Sequence, residues 1–233
     1  MIAIIDYRAG NLRSVERALR HLGIECRITL SPQEIRSARQ VIFPGVGAAG
    51  KAMETITSSG LDAVIRETAA RGTPFLGICL GLQLLAEALG GRIGVASKPE
   101  VGIGEVKLSG LGRRHGMTSG LKPTLKVMQW HHAEVQELPE GAEVLATSPI
   151  TKVQIMAVAD TLLATQFHAE LTPALIERWA HIPQYIDWLN EALGPDAYPR
   201  VRAKALPLMP QFERMSRTLF NNLIEGKALR QAA

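Results

Sequence analysis

Four short apolar runs, each followed by a helix-like pattern, set the architecture of the first ninety residues. Ile2 to Ile5 reads as a buried strand. Asn11 to Leu22 then places Leu12, Val15, Ala18, Leu19 and Leu22 at helical spacing, and Gly23 stops it. Ile24 to Thr29 is a second strand. Ser31 caps a short helix that carries Pro32 in its first turn. Gln40 to Phe43 is a third strand, followed by a mostly helical stretch from Ala48 to Gly72. Phe75 to Ile78 is the fourth strand, and Leu80 to Leu89 the helix behind it, stopped by Gly90 and Gly91. This repetition predicts an α/β fold: an open, mostly parallel, flavodoxin-like sheet flanked by helices on both faces. Ligands in such sheets bind at the carboxyl ends of the strands.

The pattern changes after Gly90. Glycines are frequent to Ser109, and Val101 to Leu108 alternates as a half-exposed strand does. Leu125 to Trp130, Glu143 to Thr147, Val153 to Val158 and Thr161 to Ala164 are further strands with short turns between them, which predicts an added antiparallel portion. From Thr172-Pro173 onward the reading is helical, with another helix over Leu206 to Gly226. The expectation is one domain over residues 1–233, with a helical C-terminal extension over about 172–233.

Composition narrows the function classes. Apolar residues make up 46% and charged residues 21%, as in ordinary globular proteins. The formal charge of +4 invites a nucleic-acid reading. Against it, Lys and Arg are dispersed, aromatics are only 5%, and no DNA- or RNA-binding motif occurs. The basic residues of the last third (Arg200, Arg202, Lys204, Arg214, Arg217, Lys227, Arg230) read as a solvated helix face or a docking face. No apolar run reaches the ~18 residues of a membrane span, and Met1 to Ile5 runs into Asp6 as a strand rather than a signal peptide. Only Cys26 and Cys79 are present, so no disulfide framework is indicated. A cytoplasmic, reducing location is expected, with no membrane association.

The chemistry centres on Phe75-Leu76-Gly77-Ile78-Cys79-Leu80-Gly81-Leu82-Gln83. Gly-x-Cys-x-Gly between a strand and a helix is the layout of a nucleophile elbow. Glycines two positions either side of the nucleophile are needed because a Cβ there would collide with the tight turn. A thiolate at the start of a helix is favoured by the helix N-terminus, and backbone N–H groups there can hold an oxyanion. A base is available downstream in Gln166-Phe167-His168-Ala169-Glu170, where His168 can take the thiol proton and Glu170 can orient the imidazole. A lone cysteine in an apolar run is as often a small buried hydrophobe, and a lone His-x-Glu is more often a surface pair. The two together, in this order and each at a strand end, point to acyl transfer through a thioester. Cys26 lies in a strand expected to be buried, with no base motif beside it.

These segments resemble the class I, triad-type glutamine amidotransferases. Gly77 to Gln83 is similar to that family's nucleophile signature, and Gln166 to Glu170 to its second signature, with Ala169 where proline is usual. Phe43-Pro44-Gly45-Val46-Gly47 resembles the oxyanion strand. Ile4 to Val15 resembles the opening of the glutaminase subunit of imidazole glycerol phosphate synthase, with Arg8 where glycine is usual. Gln129-Trp130-His131-His132, the preceding Glu100-Val101-Gly102 and the long helical tail look more like free-standing amidotransferases related to GMP synthase. The resemblance implies Cys79, His168 and Glu170 as the catalytic triad. It implies Gly45, Val46, Gly47, Leu80, Gly81, Gln83, Trp130 and His131 as residues around the glutamine. It implies L-glutamine as substrate and a partner synthase that receives the ammonia.

Metal and cofactor readings fare poorly. His131 and His132 lack further ligands in the right spacing, since neither cysteine is near and no His-x-x-x-His occurs. No Gly-x-x-x-x-Gly-Lys-Ser/Thr loop is present for ATP. Two other classes stay open: a stand-alone γ-glutamyl hydrolase, and a non-catalytic regulatory relative that keeps the fold.

Overall fold

A computed structural model describes residues 1–7, 12–21, 23–45 and 49–225. Strand β1 (Ile2–Ile5) leads to α1 (Leu12–His21), β2 (Cys26–Thr29), α2 (Pro32–Ser37) and β3 (Gln40–Gly45). Helices α3 (Ala49–Ser58) and α4 (Leu61–Ala70) follow, then β4 (Phe75–Cys79) and α5 (Leu80–Ala88). The strands β5 (Arg92–Leu108), β6 (Thr124–Glu137), β7 (Ala142–Thr147), β8 (Ile155–Val158) and β9 (Leu162–Thr165) come next. Helices α6 (Pro173–Trp179), α7 (Pro183–Leu193), α8 (Ala197–Ala205) and α9 (Met209–Glu225) close the described chain.

Among the described residues, nine strands join one sheet in the order β2-β1-β3-β4-β9-β8-β7-β5-β6. The pairs from β2 through β9 are parallel, the flavodoxin-like half expected from the strand–helix repeats. The remaining pairs are antiparallel. The sheet separates two apolar cores. One face packs α1 through Leu12, Val15 and Leu19 together with the C-terminal helices through Trp179, Leu189, Phe212 and Leu219. The other packs α2 to α5 through Ile35, Ile56, Val64, Leu82 and Leu85.

Local signals account for most element ends. The Ser31 hydroxyl accepts from the Glu34 amide and Pro32 opens α2, and Thr172 caps α6 before Pro173 in the same way. The long helical stretch after Gly47 is two helices rather than one. It breaks at Gly60, which adopts φ +70°, a left-handed conformation that glycine takes without strain. Strands β5 and β6 run far beyond the predicted stretches, because a register shift between Val95 and Glu100 lets β5 bend and keep pairing with β6. Cys26 is half-buried on the edge strand β2, not buried as expected, because β2 has a neighbour on one side only.

The elbow glycines carry the sharpest packing constraint. A Cβ on Gly77 would sit 2.9 Å from Ala164 Cβ and 3.1 Å from the Gly81 carbonyl oxygen. A Cβ on Gly81 would fall on the carbonyl oxygen of Phe43. The obstacle for Gly81 is backbone of the adjacent strand, which cannot rotate away. Gly81→Ala is therefore expected to destabilise the chain by at least about 1–3 kcal/mol. Urea unfolding checks this, and an unchanged midpoint would contradict it.

Candidate active site

Cys79 ends β4 and directly precedes α5. Its backbone sits at φ +55°, ψ −108°, a conformation that costs a non-glycine residue about 1–3 kcal/mol. Such strain persists only where the surroundings hold it, and here β4 lies between β3 and β9 while α5 starts at once. The turn aims the sulfur across the carboxyl end of the sheet. Cys79 Sγ lies 3.9 Å from the Trp130 carbonyl oxygen and 3.9 Å from Gln166 Nε2. Leu80 and Gly81 form the first turn of α5, whose leading amides have no intrahelical acceptor.

His168 reaches the same place from the turn after β9, the parallel neighbour of β4. The Thr165 hydroxyl donates to the Phe167 carbonyl at 3.1 Å, and the His168 amide donates to the Met128 carbonyl at 3.0 Å. Met128 and Trp130 belong to β6, the last strand in the order. The antiparallel half thus curls back, so that β6 contacts both Cys79 and the turn after β9. His168 Nδ1 and Glu170 Oε1 are 2.7 Å apart, both side chains almost fully buried. This leaves Nε2 of the imidazole without a hydrogen-bond partner among the described residues. Burial works against charge on His168, but the Glu170 carboxylate and negative charge on Cys79 outweigh it, raising the imidazole well above its usual range. Cys79 lies near enough for its charge to act on His168, and a thiol beside an imidazole that is itself held by a carboxylate can serve as a nucleophile. Ala169, in the place where the family usually has proline, is fully buried and leaves the His168–Glu170 pair intact.

The other sequence-predicted residues divide. Gly45 is the register partner of Cys79 on the neighbouring strand, so the end of β3 lies beside Cys79. Val46 and Gly47 lie outside the described residues. Gln83 is buried on α5 and donates to the Ala133 carbonyl at 2.9 Å and to Gln166 Oε1 at 3.2 Å, which links α5 to β6 and to the segment after β9. Trp130 presents its carbonyl to Cys79, and its ring packs in the same core as Cys79, together with the C-terminal helices. The side chain of His131 is buried against Glu100, with Nε2 3.3 Å from Oε2, while His132 is exposed. Glu100 also accepts from Gln154 at 2.7 Å, and Gln154 Oε1 accepts from Gln129 at 2.9 Å. Burial opposes charge on Glu100, yet hydrogen bonds from His131, Ser148 and Thr151 hold its carboxyl below the usual carboxylate range. This polar cluster braces the strand that carries the Trp130 carbonyl.

Sequence reasoning misses an aromatic cluster. All three tryptophans of the chain, Trp130, Trp179 and Trp188, gather with Tyr185 beside His168. The Trp130 and Trp179 rings are 4.6 Å apart, and Trp179 lies 5.2 Å from the His168 ring. The helical extension thus seals the base side of the site. The signal is present in the sequence as two tryptophans and a tyrosine within ten residues of a chain poor in aromatics. Gln166 stands in the sequence only as the start of the His168 motif, yet its amide reaches both Cys79 and Gln83.

Comparison with known proteins agrees with this geometry. Residues 3–178 match the family described as glutamine amidotransferase class-I. A relative named imidazole glycerol phosphate synthase subunit HisH, from Desulfovibrio desulfuricans, is 57% identical over 88 residues, covering 38% of this chain and 41% of that protein. The chain thus spans about two-fifths of the length of the first relatives it matches. A HisH protein from Herpetosiphon aurantiacus is 36% identical over 195 residues, covering 73% of this chain and 87% of the relative. Among solved structures, a glutamine amidotransferase from Thermotoga maritima has a TM-score of 0.79 at 21% identity, covering 96% of this chain and 97% of its own. A protein from Thermoplasma acidophilum, described as part of a GMP synthase, has a TM-score of 0.65 at 21% identity, covering 90% and 96%. These two likenesses concern the fold.

Proposed function

Because the chain belongs to the class-I glutamine amidotransferase family, we propose that it hydrolyses L-glutamine to glutamate and ammonia and passes the ammonia to a synthase partner. The observation that carries this reading is the buried His168–Glu170 pair next to a cysteine held at φ +55° on a strand-to-helix turn. Cys79 Sγ, its proton taken up by His168 Nε2, attacks the carboxamide carbon of glutamine. The tetrahedral intermediate places its oxyanion at the start of α5, where the Leu80 amide can donate. His168 then gives the proton to the departing nitrogen, and ammonia leaves as the γ-glutamyl thioester forms. Water, deprotonated by His168, attacks the thioester carbon. Glutamate departs and the thiol is restored. Glu170 holds the imidazole in the tautomer that presents Nε2 to the sulfur. Gly45, Gly81, Gln83 and Trp130 are assigned to the surroundings of the glutamine; the family resemblance implies Val46, Gly47 and the backbone of His131 as well.

The HisH relatives favour the remaining part of an imidazole glycerol phosphate synthase as the ammonia recipient. A glutaminase that released ammonia continuously would waste glutamine, so activity is expected to depend on the recipient. Glycines near the oxyanion permit a peptide reorientation that couples the two. Low glutamate release from the isolated chain is expected, rising when the synthase and its acceptor are added. Steady-state glutamate measurements with and without candidate synthases test this. Full activity without any partner would favour the stand-alone hydrolase, and no activity under any condition the non-catalytic relative.

A further inference from the structure

We propose that Tyr7 is a further catalytic residue, whose hydroxyl donates a hydrogen bond to the oxygen that becomes anionic when Cys79 attacks the carboxamide. This rests on Cys79 being the nucleophile. Tyr7 follows β1 by two residues and is only 3% exposed. Its ring is fixed edge-on against Phe43 of β3, with centroids 5.2 Å apart. Its hydroxyl has no hydrogen-bond partner among the described residues. A buried phenol that donates to nothing is destabilising, and phenylalanine would avoid that cost.

The place where that hydroxyl ends is the second observation. A Cβ added to Gly45 would fall inside the Tyr7 oxygen, so the hydroxyl lies directly against the Gly45 Cα. The same added Cβ would be 3.1 Å from Leu80 Cβ. Gly45 is the register partner of Cys79, and Leu80 supplies the first amide after the nucleophile. Tyr7 Oη thus faces the point where the end of β3 meets the start of α5, the side on which an oxyanion formed at Cys79 would be held. Burial, with negative charge on Cys79 and Asp6 adding to it, pushes the phenol above its ordinary value, so the group stays an O–H donor across the working pH range. It accepts no proton and transfers none. A neutral donor that strengthens its bond as charge develops serves the transition state more than the ground state.

The test is Tyr7→Phe in the full chain, assayed with a synthase partner if turnover requires one. The variant is expected to lose about 10²-fold in kcat for glutamine hydrolysis, with KM little changed. Its rate of Cys79 alkylation by iodoacetamide is expected to be unaltered, since that displacement forms no oxyanion. Its unfolding midpoint is expected to equal or exceed that of the parent chain. A wild-type kcat would overturn the proposal. A parallel fall in turnover and alkylation would also overturn it, because it would show that Tyr7 only packs the elbow. Failure of the nucleophile assignment is read separately, from turnover in Cys79→Ala.

Discussion

Cys79→Ala is expected to abolish glutamine hydrolysis, with a loss of roughly 10⁴-fold or more, the scale on which removing a nucleophile acts. In the proposed mechanism this sulfur forms the thioester, and the other cysteine of the chain, Cys26, lies away from it on β2. Cys26 is half-buried on edge strand β2, against the Glu16 carbonyl, and burial pushes its thiol up. A glutamine-like electrophile should therefore label Cys79 and leave Cys26 unmodified. The fold should survive, since alanine fills much of the space of cysteine. Cys79→Gly should melt higher than Cys79→Ala, because glycine adopts φ +55° without strain. Glutamate release, peptide mapping of the label and thermal melting check the three expectations.

His168→Ala is expected to lower turnover by about 10²–10⁴-fold, the range for removing a positioned acid–base group. Glu170→Ala should be milder, because the carboxylate orients the imidazole and transfers no proton. Substitution of His131 or His132 should matter less than His168. The first is turned into the Glu100 cluster and the second is exposed. The raised pKa of His168 also has a stability consequence. Its folded value lies above that of the unfolded chain, about 6.5. Protonation of His168 therefore favours the folded state fully below about pH 6.5, and this contribution is lost as pH rises through the folded value. His168→Ala should lack that component in urea unfolding measured across pH.

The parts of the fold written in local pattern were legible. The strand–helix repeats from Ile2 to Leu89 carry apolar periodicity, capping residues and stop glycines, and these placed β1, α1, β2, β3, β4 and α5 within a few residues of their observed bounds. Gly77, Cys79 and Gly81 were readable because a sharp turn excludes side chains at fixed offsets, and the observed collisions with Ala164 and Phe43 are that exclusion. His168 and Glu170 were readable because two residues of spacing suffice to bring imidazole and carboxylate together. What depended on tertiary contact was not legible. The curl that returns β6 to the turn after β9 leaves no period in the sequence. The Trp130, Trp179, Tyr185 and Trp188 cluster joins residues from β6, α6 and α7. Tyr7 reads as an ordinary residue after a strand until its hydroxyl is found against Gly45.

The mechanism turns on a covalent step at one sulfur. Acid-quenched reactions of the chain with isotope-labelled glutamine, in the presence of a synthase where needed, can be digested and read by mass spectrometry. A labelled γ-glutamyl group is predicted on the peptide containing Cys79, absent from Cys79→Ala, with none on the peptide containing Cys26. Turnover with label on Cys26, or undiminished turnover in Cys79→Ala, would contradict it.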